Sequence, residues 1–256
     1  MINNFKIIEN LITTENNDNK FYYCQIVIRN KDHNKNGFKN GVIKDYFITS
    51  KEYLNKLKNE IILLCEEFGA RAYINLTEKS FERLQKLVLV KLSNDFFNGT
   101  IRNPRKCISS AAGELSSKNP KWVIDIDNMD ILSDIEDFLL SLYSEHNKNN
   151  IIKENYIFAQ IPTPNGCHLI VKPFNLQKFK NVYNDIDVHQ NSMGTLLYYP
   201  SSISTYKPKF CCDRCGGTNI QIQAWINANT NEYIDDISEG ECWCEDCQKH
   251  TKIKTI

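Results

Sequence analysis

One short stretch, Trp122-Val123-Ile124-Asp125-Ile126-Asp127, limits the fold more than any other. Apolar and polar residues alternate there with the period of a β-strand. Trp122, Ile124 and Ile126 share one face, and Val123, Asp125 and Asp127 share the other. The first face must be covered. The second holds two carboxylates that repel each other and resist desolvation. A divalent cation relieves that repulsion, and hard oxygen ligands suit Mg²⁺ or Mn²⁺. For an isolated Asp-x-Asp, two acids on the wet face of a half-exposed sheet are the simpler alternative.

A chain of 256 residues can bury a sizeable core and holds one large domain or two smaller ones. No apolar run reaches the length of a bilayer span, and the N-terminus lacks a signal peptide's apolar core. No membrane partner is therefore expected, and the expected location is the cytoplasm. Zero net charge argues against a general DNA-coating surface. It conceals an asymmetry: residues 1–118 hold 19 Lys+Arg against 13 Asp+Glu, and residues 119–256 hold 12 against 18. A basic part beside an acidic, metal-binding part suits a phosphate-rich substrate.

The N-terminal part shows a strand over Tyr22 to Ile28 and an exposed turn from Asp32 to Gly41. Thr49-Ser50-Lys51-Glu52 reads as a capping box with Thr49 as N-cap. A helix follows with Leu54, Leu57, Ile61, Leu64, Cys65 and Phe68 inward, closed by Gly69. Arg71 to Leu76 reads as a strand, and Phe81, Leu84, Leu87, Val88 and Leu92 mark a second helix. Asn98 to Lys121 reads as loop. Its Arg102, Arg105 and Lys106 form a solvated basic cluster without aromatic interleaving, and Ser109, Ser110 and Gly113 are candidates to line a phosphate.

After Asp127 come a helix with Ile131, Ile135, Phe138, Leu139 and Leu142 inward and a strand over Tyr156 to Ile161. Pro162-Thr163-Pro164-Asn165-Gly166 is a turn, and Cys167 to Lys172 is a strand. A short helix near Leu176 to Val182, the segment Asp185-Ile186-Asp187-Val188 and an apolar strand over Thr195 to Tyr199 complete the run. Residues 121–199 thus read as the ferredoxin-like βαββαβ unit, with helices on one face of an antiparallel sheet. In that topology the strands lie in the order 4-1-3-2. The first carries Asp125 and Asp127, the third carries His168, and the fourth begins near Asp187. Ile186 and Val188 flank Asp187 as isoleucines flank the acid pair, which predicts all three acids on the helix-free face. Lys172 shares the face of His168 by parity, and His189 is a further candidate ligand.

Val-Ile-Asp-Ile-Asp, then Thr-Pro-Asn-Gly-Cys-His, then Ile-Asp-Val followed by a glycine, apolar residues and Pro200-Ser201-Ser202 resembles the archaeo-eukaryotic primase superfamily. The likeness is to its primase-polymerase branch in phages and mobile elements and covers roughly residues 70–202. It implies an RRM-like catalytic core and a metal-dependent nucleotidyltransferase that works on a nucleic-acid template in replication. By this resemblance Asp125, Asp127 and Asp187 hold two Mg²⁺ or Mn²⁺ ions, and His168 contacts the phosphates of a nucleoside triphosphate. Lys172 is a candidate to assist His168, and a replicative helicase is an implied partner. Cys167, directly before His168, departs from the small or basic residues usual in the family. Asp185 competes with Asp187 for the third acid. Outside the resemblance, two other readings stand: a non-catalytic nucleic-acid-binding module, and a two-metal nuclease that activates water.

Six of the ten cysteines lie between Cys211 and Cys247, a clustering that fits a local metal site better than a disulfide framework. Cys212-x-x-Cys215 and Cys244-x-x-Cys247 can together close a tetrahedral Zn²⁺ site. The 28-residue gap has room for strands over Ile220 to Trp225 and Glu232 to Ile237, an arrangement that resembles a zinc ribbon. Cys211 and Cys242 are alternative ligands. Too few large apolar residues are present for this segment to fold without metal. The expected fold is therefore α+β: a catalytic domain over 1–205, with an N-terminal α/β extension before its core, and a zinc ribbon over 206–256.

Overall fold

A computed structural model of the chain describes residues 1–13, 19–29, 32, 41–100, 104–115, 117, 119–144, 152–190, 194–201, 210–216, 220–222, 224–226, 233–236, 240–244 and 247–255. Among these residues the fold is α+β, with six α-helices and antiparallel sheets.

The N-terminal part runs β1 (Ile2–Asn3), α1 (Phe5–Leu11), β2 (Lys20–Ile28), β3 (Gly41–Ile48), α2 (Lys51–Phe68), β4 (Arg71–Ile74), β5 (Lys79–Ser80), α3 (Phe81–Phe97) and α4 (Pro104–Glu114). Both faces of β2 are apolar, so its sheet needs cover on both sides. Tyr22, Cys24 and Ile26 pack with Leu54, Ile61 and Cys65 of α2 and with Phe5 and Ile8 of α1. Phe21 and Tyr23 point the other way, against Leu84 of α3 and Ala111 and Ala112 of α4. The helix cap falls one residue later than expected. Ser50 precedes α2 and accepts the Tyr53 N–H at 3.1 Å, while Gly69 ends the helix at φ 55°.

Helix α4 occupies what the sequence suggests is loop. Pro104 suits the first helical turn, and Cys107, Ala111, Ala112 and Leu115 supply the buried stripe. Small residues form that stripe, so its hydrophobic period is faint. Most of the turn expected over residues 32–41 lies outside the described residues.

The second sheet is built from β6 (Trp122–Ile126), α5 (Leu132–Ser144), β7 (Ile157–Pro162), β8 (Cys167–Val171), α6 (Leu176–Val182) and β9 (Asp187–His189). Its strands lie in the order β7-β8-β6-β9. Ile124 and Ile126 pack with Ile135, Leu139 and Leu142 of α5 and Phe179 of α6. Val123, on the opposite face, joins Ile161 and Ile170 in the core of the first sheet. That face is thus covered in part by the N-terminal part and is not a fully open surface.

Thr195–Tyr199 departs from the expected run. It forms β10, which leaves this sheet and pairs with β1 and β4 of the first. Four of its five residues are buried, which an edge position beside the three-residue β9 could not supply. Gly194 makes the crossing possible: a Cβ there would lie 3.0 Å from the Ile74 backbone. Asn4 ties the two sheets together. Its buried amide donates to Pro162 O and Leu196 O, both at 2.9 Å.

At the C-terminal end, β11 (Phe210–Cys212), β12 (Ile220–Gln221), β13 (Ala224–Ile226), β14 (Tyr233–Asp236), β15 (Glu241–Cys244) and β16 (Lys249–Thr255) follow. Four of them pair in the order β11-β16-β15-β12, and β13 and β14 form a separate hairpin.

Candidate active site and cysteine cluster

Strand register brings three of the expected residues into one row. Asp125 on β6 lies opposite His168 on β8 and opposite Asp187 on β9. Directly opposed residues share a face, with Cβ atoms about 4.5–5.5 Å apart. Asp127 follows immediately after β6 and is exposed, as is Asp187, whereas Asp125 is partly buried. Asp185 lies in the turn before β9, outside the row. Lys172 is not brought to this site. It lies beyond β8, four residues or about 13 Å along the strand from His168. Its ammonium stands 5.2 Å from the Tyr156 ring centroid.

His168 is only 4% exposed. Its Nε2 faces Asp125 Oδ1 at 3.5 Å, and its Nδ1 lies 3.0 Å from Thr195 Oγ1 on β10. Burial holds the imidazole below the ordinary histidine range; Asp125 and Asp127 pull it up, and His189 pushes it down. In the neutral ring only one nitrogen carries a proton. A carboxylate can only accept, so that proton belongs on Nε2, and Nδ1 then accepts from the Thr195 hydroxyl. Thr195 is itself 1% exposed. Nothing in its apolar context marks it as a partner of His168, because the contact joins two different sheets.

Gly166 brings the turn before β8 close against the acid strand. An added Cβ would lie 2.0 Å from Ile126 O and 2.9 Å from Asp127 Cα, so the turn packs directly on the acid strand. Thr163 holds the turn in place: its N–H donates to Gly166 O at 2.9 Å, and its hydroxyl accepts the Gly166 N–H at 3.1 Å. The serines of α4 serve structural contacts. Ser109 donates to Asp45 and Ser110 to Glu114, at 2.5 and 2.9 Å. Of the basic cluster, Lys106 is exposed, and the side chains of Arg102 and Arg105 lie outside the described residues.

Cys212, Cys215, Cys244 and Cys247 place their sulfurs within 4.8 Å of one another and could hold a metal such as zinc. The acids and His168 form no second group of that kind among the described residues. Cys212 and Cys247 are 3.8 Å apart, and Cys215 and Cys244 are 3.5 Å apart. A tetrahedron with Zn–S bonds of 2.3 Å has edges of about 3.8 Å. Both knuckles close alike: Gly216 N–H donates to Cys212 O at 2.9 Å and Gln248 N–H to Cys244 O at 2.8 Å. Gly216 and Gln248 have φ values of 68° and 57°. Burial raises the Cys212 thiol, but N–H donors from Cys215 and Arg214 outweigh it and bring the group to about 6. Cys211 and Cys242 are not part of this cluster. The acidic side chains of Asp235, Asp236, Glu239, Glu245 and Asp246 lie outside the described residues.

Comparison with protein-family models, curated proteins and solved structures finds no match to this chain. No helix among the described residues is long and apolar enough to cross a membrane.

Two expectations follow. Gly166→Ala should destabilise the fold by about 1–3 kcal/mol through overpacking. Gly113→Ala, where an added Cβ meets nothing within 4 Å, should stabilise it by about 0.5 kcal/mol. Equal urea midpoints for the two variants would contradict the close approach. Elemental analysis should find one zinc per chain, lost in the Cys244→Ser, Cys247→Ser double variant. Zinc retained at full level by that variant would exclude the four-cysteine site.

Proposed function

We propose that the chain is a metal-dependent nucleotidyltransferase of the primase-polymerase type, acting on a nucleic-acid template. The observation that carries this reading is the row Asp187–Asp125–His168 across three neighbouring strands, with Asp127 two residues beyond Asp125 in the chain. The β7-β8-β6-β9 order, with two helices packed on the other face, supports an RRM-like reading of this sheet. In this reading Asp125, Asp127 and Asp187 hold Mg²⁺ or Mn²⁺. Two such ions stabilise the attacking and leaving oxygens of an in-line phosphoryl displacement.

The protein's own part is placement. Asp125 is fixed by cross-strand neighbours on both sides, and Asp127 by the Gly166 turn beneath its backbone. Rigid elements of this kind hold a catalytic constellation better than loops do. We assign residues 1–205 to the catalytic domain and 206–256 to a zinc ribbon, whose four thiolates leave no open position for chemistry.

Labelled nucleotides, a primed template and Mn²⁺ test the reading. Wild-type protein should extend the primer. Asp125→Ala with Asp127→Ala should abolish incorporation while shifting stability by less than about 1 kcal/mol, since among the described residues the one ion-pair partner of these acids is His168. Template binding without extension would favour a non-catalytic module, and template degradation would favour a nuclease.

A further inference from the structure

Helix α3 is apolar on two opposite sides. Leu84, Leu87 and Val88 face inward, against β2 and α4. The other side, at helical spacing, carries Leu89, Val90, Ser93, Phe96 and Phe97. Leu89 and Val90 are 67% and 56% exposed, and Phe96 and Phe97 are 76% and 83% exposed. Among the described residues the two phenylalanines make ring contact only with each other, at a centroid distance of 5.9 Å. A helix that is hydrophobic all round is ordinarily a buried one, so this outer side calls for cover.

The size and the pattern of the side say what covers it. A phenylalanine buries roughly 150–250 Å², so these two rings leave about 300 Å² of apolar surface bare, and Leu89 and Val90 bring the patch to on the order of 500 Å². Doubled in a symmetric pair, that is roughly 1,000 Å², the lower bound for a specific interface. The residues are also symmetric about Ser93. Leu89 and Phe97 lie four positions to either side of it, and Val90 and Phe96 lie three. Two antiparallel copies of α3 crossing at Ser93 would set Leu89 against the second copy's Phe97 and Val90 against its Phe96. The small serine allows close approach at the crossing, and a two-fold axis needs such a self-complementary surface. Charge is compatible with this pairing. Lys86, seven residues before Ser93, is paired with Glu82 and would reach the uncharged C-terminal end of the other helix, where a cation is favourable. A nucleic-acid strand would need free cations among the rings, and this side offers only the paired Lys86.

We propose that the outer side of α3 pairs with the same side of a second copy of this chain, as a two-fold symmetric, reversible dimer of antiparallel helices that cross at Ser93. The inference is independent of the nucleotidyltransferase reading.

Sedimentation equilibrium of the full chain across a dilution series tests it. The wild-type protein should show a species of twice the 29.8 kDa chain mass that dissociates on dilution. Phe97→Glu and Leu89→Lys should each weaken the dimer about a hundred-fold or more, because the axis repeats each lost contact. An equimolar mixture of the two variants should recover it, since one Lys–Glu pair and one unaltered Leu–Phe contact then replace two mismatches. Both positions are exposed, so circular dichroism and thermal midpoints should match the wild type. A wild-type chain that stays monomeric at every concentration would overturn the proposal, as would a dimer that neither variant weakens. Monomeric variants whose mixture stays monomeric would overturn the antiparallel register. A monomeric wild type that binds phosphatidylserine vesicles or single-stranded DNA, with binding lost in Phe97→Glu, would give the side to that occupant and overturn the pairing.

Discussion

Strand β6 is five residues long and is paired on both sides, so its register fixes everything placed on it. A slip of one residue would turn Ile124 and Ile126 out of the helix-covered core and drive Asp125 into it. The cost of burying a lone carboxylate makes that slip prohibitive. The same two-sided pairing that protects the register also sets Asp125 between His168 and Asp187. Fold stability and site geometry are therefore one constraint. The Gly166 turn adds the last piece, because its backbone sits against Ile126 and Asp127 where any other residue would push them away.

Much of this was legible in the sequence, for identifiable reasons. Period-two alternation placed Ile124 and Ile126 on the helix side and Val123 and Asp125 opposite, and the side chains lie so. The Ile-Asp-Val context favours Asp187 over Asp185, and Asp187 is the one that lies opposite Asp125. Spacing alone left six cysteines for four places. In the two pairs whose sulfurs cluster, the second cysteine is followed by a positive-φ residue, visible as glycine at 216 but hidden as Gln248.

What the sequence concealed depends on long-range packing. Thr195–Tyr199 reads as a neighbour of Asp187, yet it belongs to another sheet, which brings Thr195 to His168 from a direction local pattern cannot reveal. Helix α4 hides behind alanines, serines and a glycine. Lys172 obeys the parity of His168, but parity ends with the strand at Val171, and its stem then turns toward Tyr156.

The central claim is that the acid row on β6 and β9 is a divalent-cation site beside His168. Paramagnetic broadening of backbone amide signals by substoichiometric Mn²⁺ tests it most directly. The account predicts that the amides of residues 125–127, 168 and 187 broaden first, and together. Broadening confined to the acidic C-terminal segment, with residues 125, 168 and 187 still sharp, would contradict it.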